Sequence, residues 1–113
     1  MEIIKDTLAR DELRRMAAGM FGDLVKAVVD VERGLLAVDA ELHSDLEALL
    51  LQDGSTQWHL WGINLYPALD GDQFIEFDSM INMRPSHGNR SRGVEDAAMR
   101  ATIIEIVARM VAG

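Results

Sequence analysis

Residues 24–42 read LVKAVVDVERGLLAVDAEL, a valine-rich segment that is interrupted by Arg33-Gly34. This pattern predicts two strands joined by a tight turn. With Arg33 and Gly34 as the loop, Lys26 lies opposite Glu41 on one face. The other face then aligns the apolar residues of both strands, namely Val25, Ala27, Val29 and Val31 against Leu42, Ala40, Val38 and Leu36. Because one choice of turn satisfies both faces, we predict a β-hairpin.

Alternating apolar and polar residues in two later segments predict a second hairpin. A register with Asn64 opposite Glu76 keeps both apolar sets on one face. Three helices complete the pattern, and Ser44 and Glu47 form an S-x-x-E capping box that is typical of the start of the middle one. The predicted strands lie near residues 24–31, 35–42, 57–66 and 74–83, and the predicted helices near residues 11–21, 44–52 and 94–111.

These elements indicate an α+β fold: a four-stranded antiparallel sheet built from two hairpins, with helices packed on one face. A chain of 113 residues is the size of one ordinary domain, so we predict a single domain over residues 1–113. The core is expected to contain Val29, Val38, Leu46, Trp61, Ile63, Phe77, Ile81, Ile103 and Val107.

Composition and charge exclude several classes of protein. The formal net charge of -8 repels a nucleic acid backbone, so we expect no nucleic-acid partner. No apolar run reaches the roughly 20 residues of a membrane helix, and the N-terminus lacks a secretory signal pattern. The chain has no cysteine, which excludes disulfides, thiolate zinc sites and thiol nucleophiles. We therefore expect a cytoplasmic protein without a membrane partner.

A cluster of arginines precedes the last predicted helix, in the segment INMRPSHGNRSRGVED of residues 81–96. Gly88 and Gly93 permit turns that expose consecutive backbone N–H groups, which can form an anion nest. If Gly93 leads directly into the helix, the helix N-terminus adds positive partial charge, and an arginine adds a planar fork for phosphate or carboxylate. The segment carries neither a Walker nor a dinucleotide-binding motif. The expected ligand-binding residues are Arg84, Asn89, Arg90, Ser91 and Arg92.

Other polar residues near this segment are candidates for a supporting role. They are Asp78, Glu76, Asn82 and His87. The arginines could instead pair with neighbouring carboxylates and hold the loop in place, a structural interpretation that stays open. The non-core sheet face is predicted to carry Asp30, Asp39, Glu41, Asn64, Glu76, Asp78 and Asn82, as expected for a solvated face, and we assign no metal site there. Three scattered histidines have no metal-ligand spacing, and no serine lies in a G-x-S-x-G motif, so no catalytic residue is assigned.

Four long segments carry a resemblance that covers nearly the whole chain: FGDLVKAVVDVERG, ELHSD, QDGSTQWHLWGINLYP and IEFDSMINMRPSHGNRSRG. Together they resemble a family of small prokaryotic proteins that is catalogued only as a domain of unknown function. The resemblance implies a single domain. It assigns no activity, cofactor or catalytic residue.

Two functions of different classes follow from the sequence. The first is a module that binds a small anionic ligand, bearing phosphate or carboxylate, at the arginine-rich loop. The second is a protein-interaction module or homodimer that uses the polar sheet face. In that case Trp58 and Tyr66 would flank Gly62 on a flat, partly aromatic surface. Neither pattern identifies a cofactor or a reaction.

Overall fold

The fold is α+β, as predicted, in a computed structural model that describes all residues 1–113. Its three helices are α1 (Arg10–Ala18), α2 (His43–Gln52) and α3 (Ala97–Met110). Its strands are β1 (Glu2–Ile4), β2 (Leu8–Ala9), β3 (Val25–Asp30), β4 (Leu35–Val38), β5 (Leu60–Leu65), β6 (Ile75–Glu76) and β7 (Val111–Ala112). No helix combines the length and the apolar character that a bilayer crossing requires.

The main sheet is antiparallel and has five strands in the order β1-β4-β3-β5-β6. The prediction of four strands missed β1, which pairs with β4 through partners such as Glu2 and Val38. A second, two-stranded sheet joins β2 to β7 in parallel, through Leu8 beside Val111. It fastens the segment before α1 to the end of the chain.

The first hairpin is confirmed, but its register is shifted by two residues from the predicted one. Ala27 faces Val38, and Asp30 faces Leu35, so the connection spans four residues rather than the predicted Arg33-Gly34 alone. The side chain of Asp30 builds this longer turn, because its Oδ1 accepts hydrogen bonds from the backbone N–H groups of Glu32 and Arg33, both at 2.9 Å. A shift of two residues leaves every side chain on its predicted face.

The second hairpin has the predicted register, with Asn64 opposite Glu76, but its return strand is short. The predicted strand over residues 74–83 is wrong beyond Glu76, where β6 ends. The chain then forms a 3-10 turn at Met80–Asn82, and the Ser79 hydroxyl accepts a hydrogen bond from Ile81 N. Side-chain contacts therefore replace ladder hydrogen bonds in this part of the fold.

The helix starts also differ from the sequence predictions. The capping box is wrong, because α2 begins at His43, its N-cap Leu42 makes no side-chain cap, and Ser44 lies within the first turn. Helix α3 begins at Ala97 rather than near residue 94, and its N-cap is Asp96, whose carboxylate accepts a hydrogen bond from Ala98 N at 3.0 Å. Gly93 therefore does not lead directly into the helix.

The core forms one cluster that contains most of the predicted residues. Trp61, Phe77 and Ile81 are only partly buried and pack against it, whereas the buried members of the predicted set are Val29, Val38, Leu46, Ile63, Ile103 and Val107. Strand β3 is buried on both faces, as the full burial of the neighbours Val28 and Val29 shows. The predicted solvated face is therefore wrong for Asp30, Asn64 and Asn82, which are buried.

Candidate functional site

The arginine-rich segment forms a small hairpin that is closed by Arg84 and Asn89. Each donates its backbone N–H to the other's carbonyl, at 2.7 and 3.2 Å. Pro85–His87 form a 3-10 turn at the tip, and Gly88 follows in the left-handed region with φ of 85°. The tip therefore has a defined shape, and Gly88 has the backbone conformation for which the sequence predicted glycine.

The amide of Asn89 is engaged within the chain. Its Nδ2 donates to the carbonyls of Asn82, at 2.7 Å, and Gly93, at 2.8 Å. Its Oδ1 accepts from Glu95 N at 2.9 Å, and the residue is buried. Asn89 therefore holds the two ends of the segment together rather than facing an open surface.

The predicted anion nest at Arg90 and Ser91 is occupied by a carboxylate of the chain itself. Glu95 Oε2 accepts hydrogen bonds from the backbone N–H of Ser91, at 2.8 Å, and of Arg90, at 2.5 Å. The bond from Ser91 has the largest effect and the bond from Arg90 the next, and both hold the pKa of the Glu95 carboxyl below its ordinary value. The Ser91 hydroxyl accepts from Gly93 N at 3.2 Å. The Arg90 guanidinium is exposed and makes no ion pair.

Arg92 pairs with Asp78 on the surface, with Nε 2.6 Å from Oδ1. Glu76 lies nearby in sequence but has different partners, since it accepts hydrogen bonds from Asn64 and from the Tyr66 hydroxyl. The four supporting residues expected from the sequence therefore lie in different parts of the structure. Glu76 and Asp78 hold neighbouring groups at the surface, Asn82 lies in the interior, and His87 projects at the hairpin tip.

Arg84 differs from the other two arginines because its guanidinium is partly buried and held by several hydrogen bonds. It donates to three backbone carbonyls, those of Trp58, Leu60 and Ile81. Its Cζ atom lies 4.5 Å from the centroid of the Trp61 ring, a cation–π contact. It forms no ion pair with any carboxylate. Burial lowers the pKa of Arg84, and the negative charge of Glu47 opposes this shift.

A surface pocket of about 420 Å³ opens beside Arg84. One wall comes from α2 through Glu47, and another from the hairpin tip, where the His87 ring packs edge-on against Trp58 with ring centroids 3.5 Å apart. Part of the rim is apolar and exposed: 56% of Trp58, 63% of Met80 and 42% of Met83 is accessible. The remaining lining residues are Gln57, Ile81, Pro85 and Ser86. A cation held by backbone carbonyls thus lies in a small concavity whose rim is partly apolar, and small-molecule sites combine the same features.

The structure brings only some of the predicted residues into this pocket. Arg84 and His87 line it, whereas Asn89, Arg90, Ser91 and Arg92 do not. No three His, Asp or Glu side chains converge closely enough to hold a metal ion.

Comparison with protein families gives a match over nearly the whole chain. A family model for a protein of unknown function, DUF5674, matches residues 2–110. The chain belongs to this family. The family resemblance found in the sequence is thereby confirmed. The family description gives no activity, so it indicates no role for the Arg84 pocket. Neither the curated proteins nor the solved structures contain a significant match to the chain.

Sequence reasoning missed Glu47, Met80 and Met83 as lining residues. The sequence pattern places Glu47 in a capping box, and it places Met80 and Met83 in a predicted strand. Pro85 does not separate Met80 and Met83 from the predicted strand, because Arg84-Pro85 lies beyond its predicted end at residue 83.

Proposed function

We propose that this protein binds a small organic molecule through a carboxylate or phosphate group at Arg84. The observation that carries the proposal is a partly buried guanidinium that makes no ion pair while it lines a pocket. A partly buried charge without an ion-pair partner is unfavourable, and neutral carbonyls compensate it only in part. An anionic ligand group would supply the missing charge.

The geometry of Arg84 leaves capacity for such a group. The guanidinium uses three hydrogen bonds to carbonyls, fewer than the number of its N–H donors. Because the carbonyls and the Trp61 ring fix its position, the ligand would not have to order a flexible side chain. A planar fork also suits the two oxygens of a carboxylate.

The rim supports an organic ligand rather than a simple inorganic ion. Trp58, Met80 and Met83 expose apolar surface beside the cation, and a ligand with an apolar part would bury some of it. A volume of about 420 Å³ suits a small molecule. We place this binding module in the cytoplasm, on the basis of its cysteine-free composition.

Calorimetric titration with 3-phenylpropionate and with its neutral analogue 3-phenylpropionamide tests this function. We expect the acid to bind and the amide to bind at least about tenfold more weakly, the equivalent of about 1.4 kcal/mol. In Met83→Glu, a new carboxylate at the rim should repel the acid without disturbing the core. Met20→Glu is the matched control, since Met20 is equally exposed, at 42%, and lies outside the pocket.

The outer arginines define a competing location for the same kind of ligand. If phosphate, sulfate or the acid stabilised the protein at constant ionic strength, and Arg90→Ala or Arg92→Ala removed that response while Met83→Glu did not, the site would lie at the outer segment. Equal binding of acid and amide to the wild type would contradict recognition of charge at Arg84.

A second candidate function is a protein-interaction module or homodimer. The high exposure of Trp58 and Met80 favours it, because exposed aromatic and methionine side chains are typical of interfaces. The flat sheet surface that the sequence suggested is interrupted, since Ser79 packs over Gly62. The interface would therefore centre on the pocket rim. Light scattering across a concentration series, with Trp58→Ala as the comparison, measures whether the chain self-associates there.

A further inference from the structure

A second charged side chain, that of Glu47, lines the pocket. Its charge is opposite in sign to that of Arg84. Glu47 extends from α2, is partly buried and forms no salt bridge and no side-chain hydrogen bond. Its negative charge raises the pKa of Arg84 against the larger, opposite effect of burial, although the two side chains do not form an ion pair. One small pocket is therefore lined by a cation and an anion that do not form an ion pair.

The presence of both charges in one pocket limits the class of ligand that it can bind. We propose that the pocket binds a zwitterion, a free α-amino acid with a large apolar side chain. The carboxylate of the ligand would bind Arg84, its ammonium group would face Glu47, and its side chain would lie against Met80 and Met83. This inference rests on the proposed binding function at Arg84 and specifies its ligand.

The overall charge of the protein favours a zwitterion over an anion. A net charge of -8 repels anions as they approach, and Glu47 adds a local repulsion at the pocket itself. A zwitterion has no net charge, so the overall charge of the protein does not repel it. Its ammonium group would be attracted to Glu47. Glu47 would be an unfavourable residue in a pocket that had to select phosphate alone.

The test compares L-phenylalanine with 3-phenylpropionate, which lacks only the amino group, and with L-phenylalaninamide, which lacks the carboxylate. Titration calorimetry at neutral pH is carried out on the wild type and on Glu47→Gln. Glu41→Gln is the matched control, because it removes the same charge from an exposed glutamate outside the pocket. Circular dichroism and thermal unfolding verify that the variants are folded.

We expect L-phenylalanine to bind the wild type about tenfold more tightly than 3-phenylpropionate, the equivalent of about 1.4 kcal/mol. Glu47→Gln should reduce this preference to less than about twofold, and Glu41→Gln should leave it unchanged. L-Phenylalaninamide should bind more weakly than L-phenylalanine. If 3-phenylpropionate bound the wild type as tightly as L-phenylalanine, the zwitterion inference would fail while the proposed function stood. If neither acid bound, both would fail.

Discussion

Gly62 and Asn82 are joined by two hydrogen bonds that replace a strand ladder. Asn82 Oδ1 accepts from Gly62 N at 2.8 Å, and Asn82 Nδ2 donates to Gly62 O at 2.9 Å. The same Nδ2 donates to the carbonyl of Arg92 at 2.9 Å. A single buried amide thus completes the edge of β5 and ties the end of the arginine-rich segment to the sheet.

Replacing this amide should strongly destabilise the fold. In Asn82→Ala, the N–H and C=O groups of Gly62 lose their partners in a buried position, and each unsatisfied group costs about 1–3 kcal/mol. We expect the free energy of unfolding to fall by about 2–5 kcal/mol in urea denaturation. Gln52→Ala, at an exposed position of α2, should change it by less than about 0.5 kcal/mol. A loss no larger than the control's would mean that water replaces the amide without cost.

Gly62 is also required by close packing against Ser79. A Cβ at position 62 would lie 2.5 Å from Ser79 Cβ, well inside van der Waals contact. Gly62→Ala should therefore cost about 1–3 kcal/mol. Gly19→Ala is the control, since its Cβ would meet nothing closer than 3.5 Å, at Arg15 O. In a double-mutant cycle, the cost of Gly62→Ala should be smaller in a Ser79→Gly background, and strict additivity would contradict this packing explanation.

Elements that appear as a repeating pattern of apolar residues in the sequence could be predicted. Features that depend on the contacts of a single side chain could not. Alternation identified both hairpins, and it gave the correct pairing of Asn64 with Glu76. It could not show that Asp30 would bind the turn N–H groups and shift the first register by two residues. The three residues of β1 are too few for a reliable period, and their pairing with β4 is a tertiary contact.

The candidate site was predictable in outline only. Gly88 and Pro85 correctly indicated a turn at the hairpin tip. The sequence could not distinguish Arg84 from Arg90 and Arg92, because the carbonyls that hold Arg84 include those of Trp58 and Leu60, which are distant along the chain. Charge alone makes the three arginines equivalent, and only the packing of the segment separates them.

The arginine-rich segment should owe its stability to Asn89 rather than to Arg92. Asn89→Ala removes a buried amide with partners at Asn82, Gly93 and Glu95, so we expect a loss of about 2–4 kcal/mol. Arg92→Ala removes an exposed ion pair with a typical value below about 1 kcal/mol. Chemical denaturation of the two variants ranks them. Equal losses would indicate that the exposed ion pair has an unexpected structural role.

Stability should depend on pH through His43, the buried first residue of α2. Burial lowers its pKa, while the hydrogen bond from Nε2 to the Ile63 carbonyl, at 2.8 Å, opposes this shift. Of the nearby charges, Lys26 and Arg92 also lower the pKa and Asp78 raises it.

Above the ordinary pKa of 6.5, His43 is neutral in both the folded and the unfolded state and contributes no dependence on pH. As the pH falls below 6.5, the unfolded chain binds this proton first, so the free energy of unfolding decreases by at most about 1.4 kcal/mol per pH unit. His43→Gln should therefore lose less stability than the wild type between neutral pH and pH ~5.5, a window that lies above the ordinary carboxylate pKa values. His59 and His87 are present in both proteins and cancel in the difference. Parallel pH profiles for the two proteins would show that His43 takes up a proton as readily in the fold as in water.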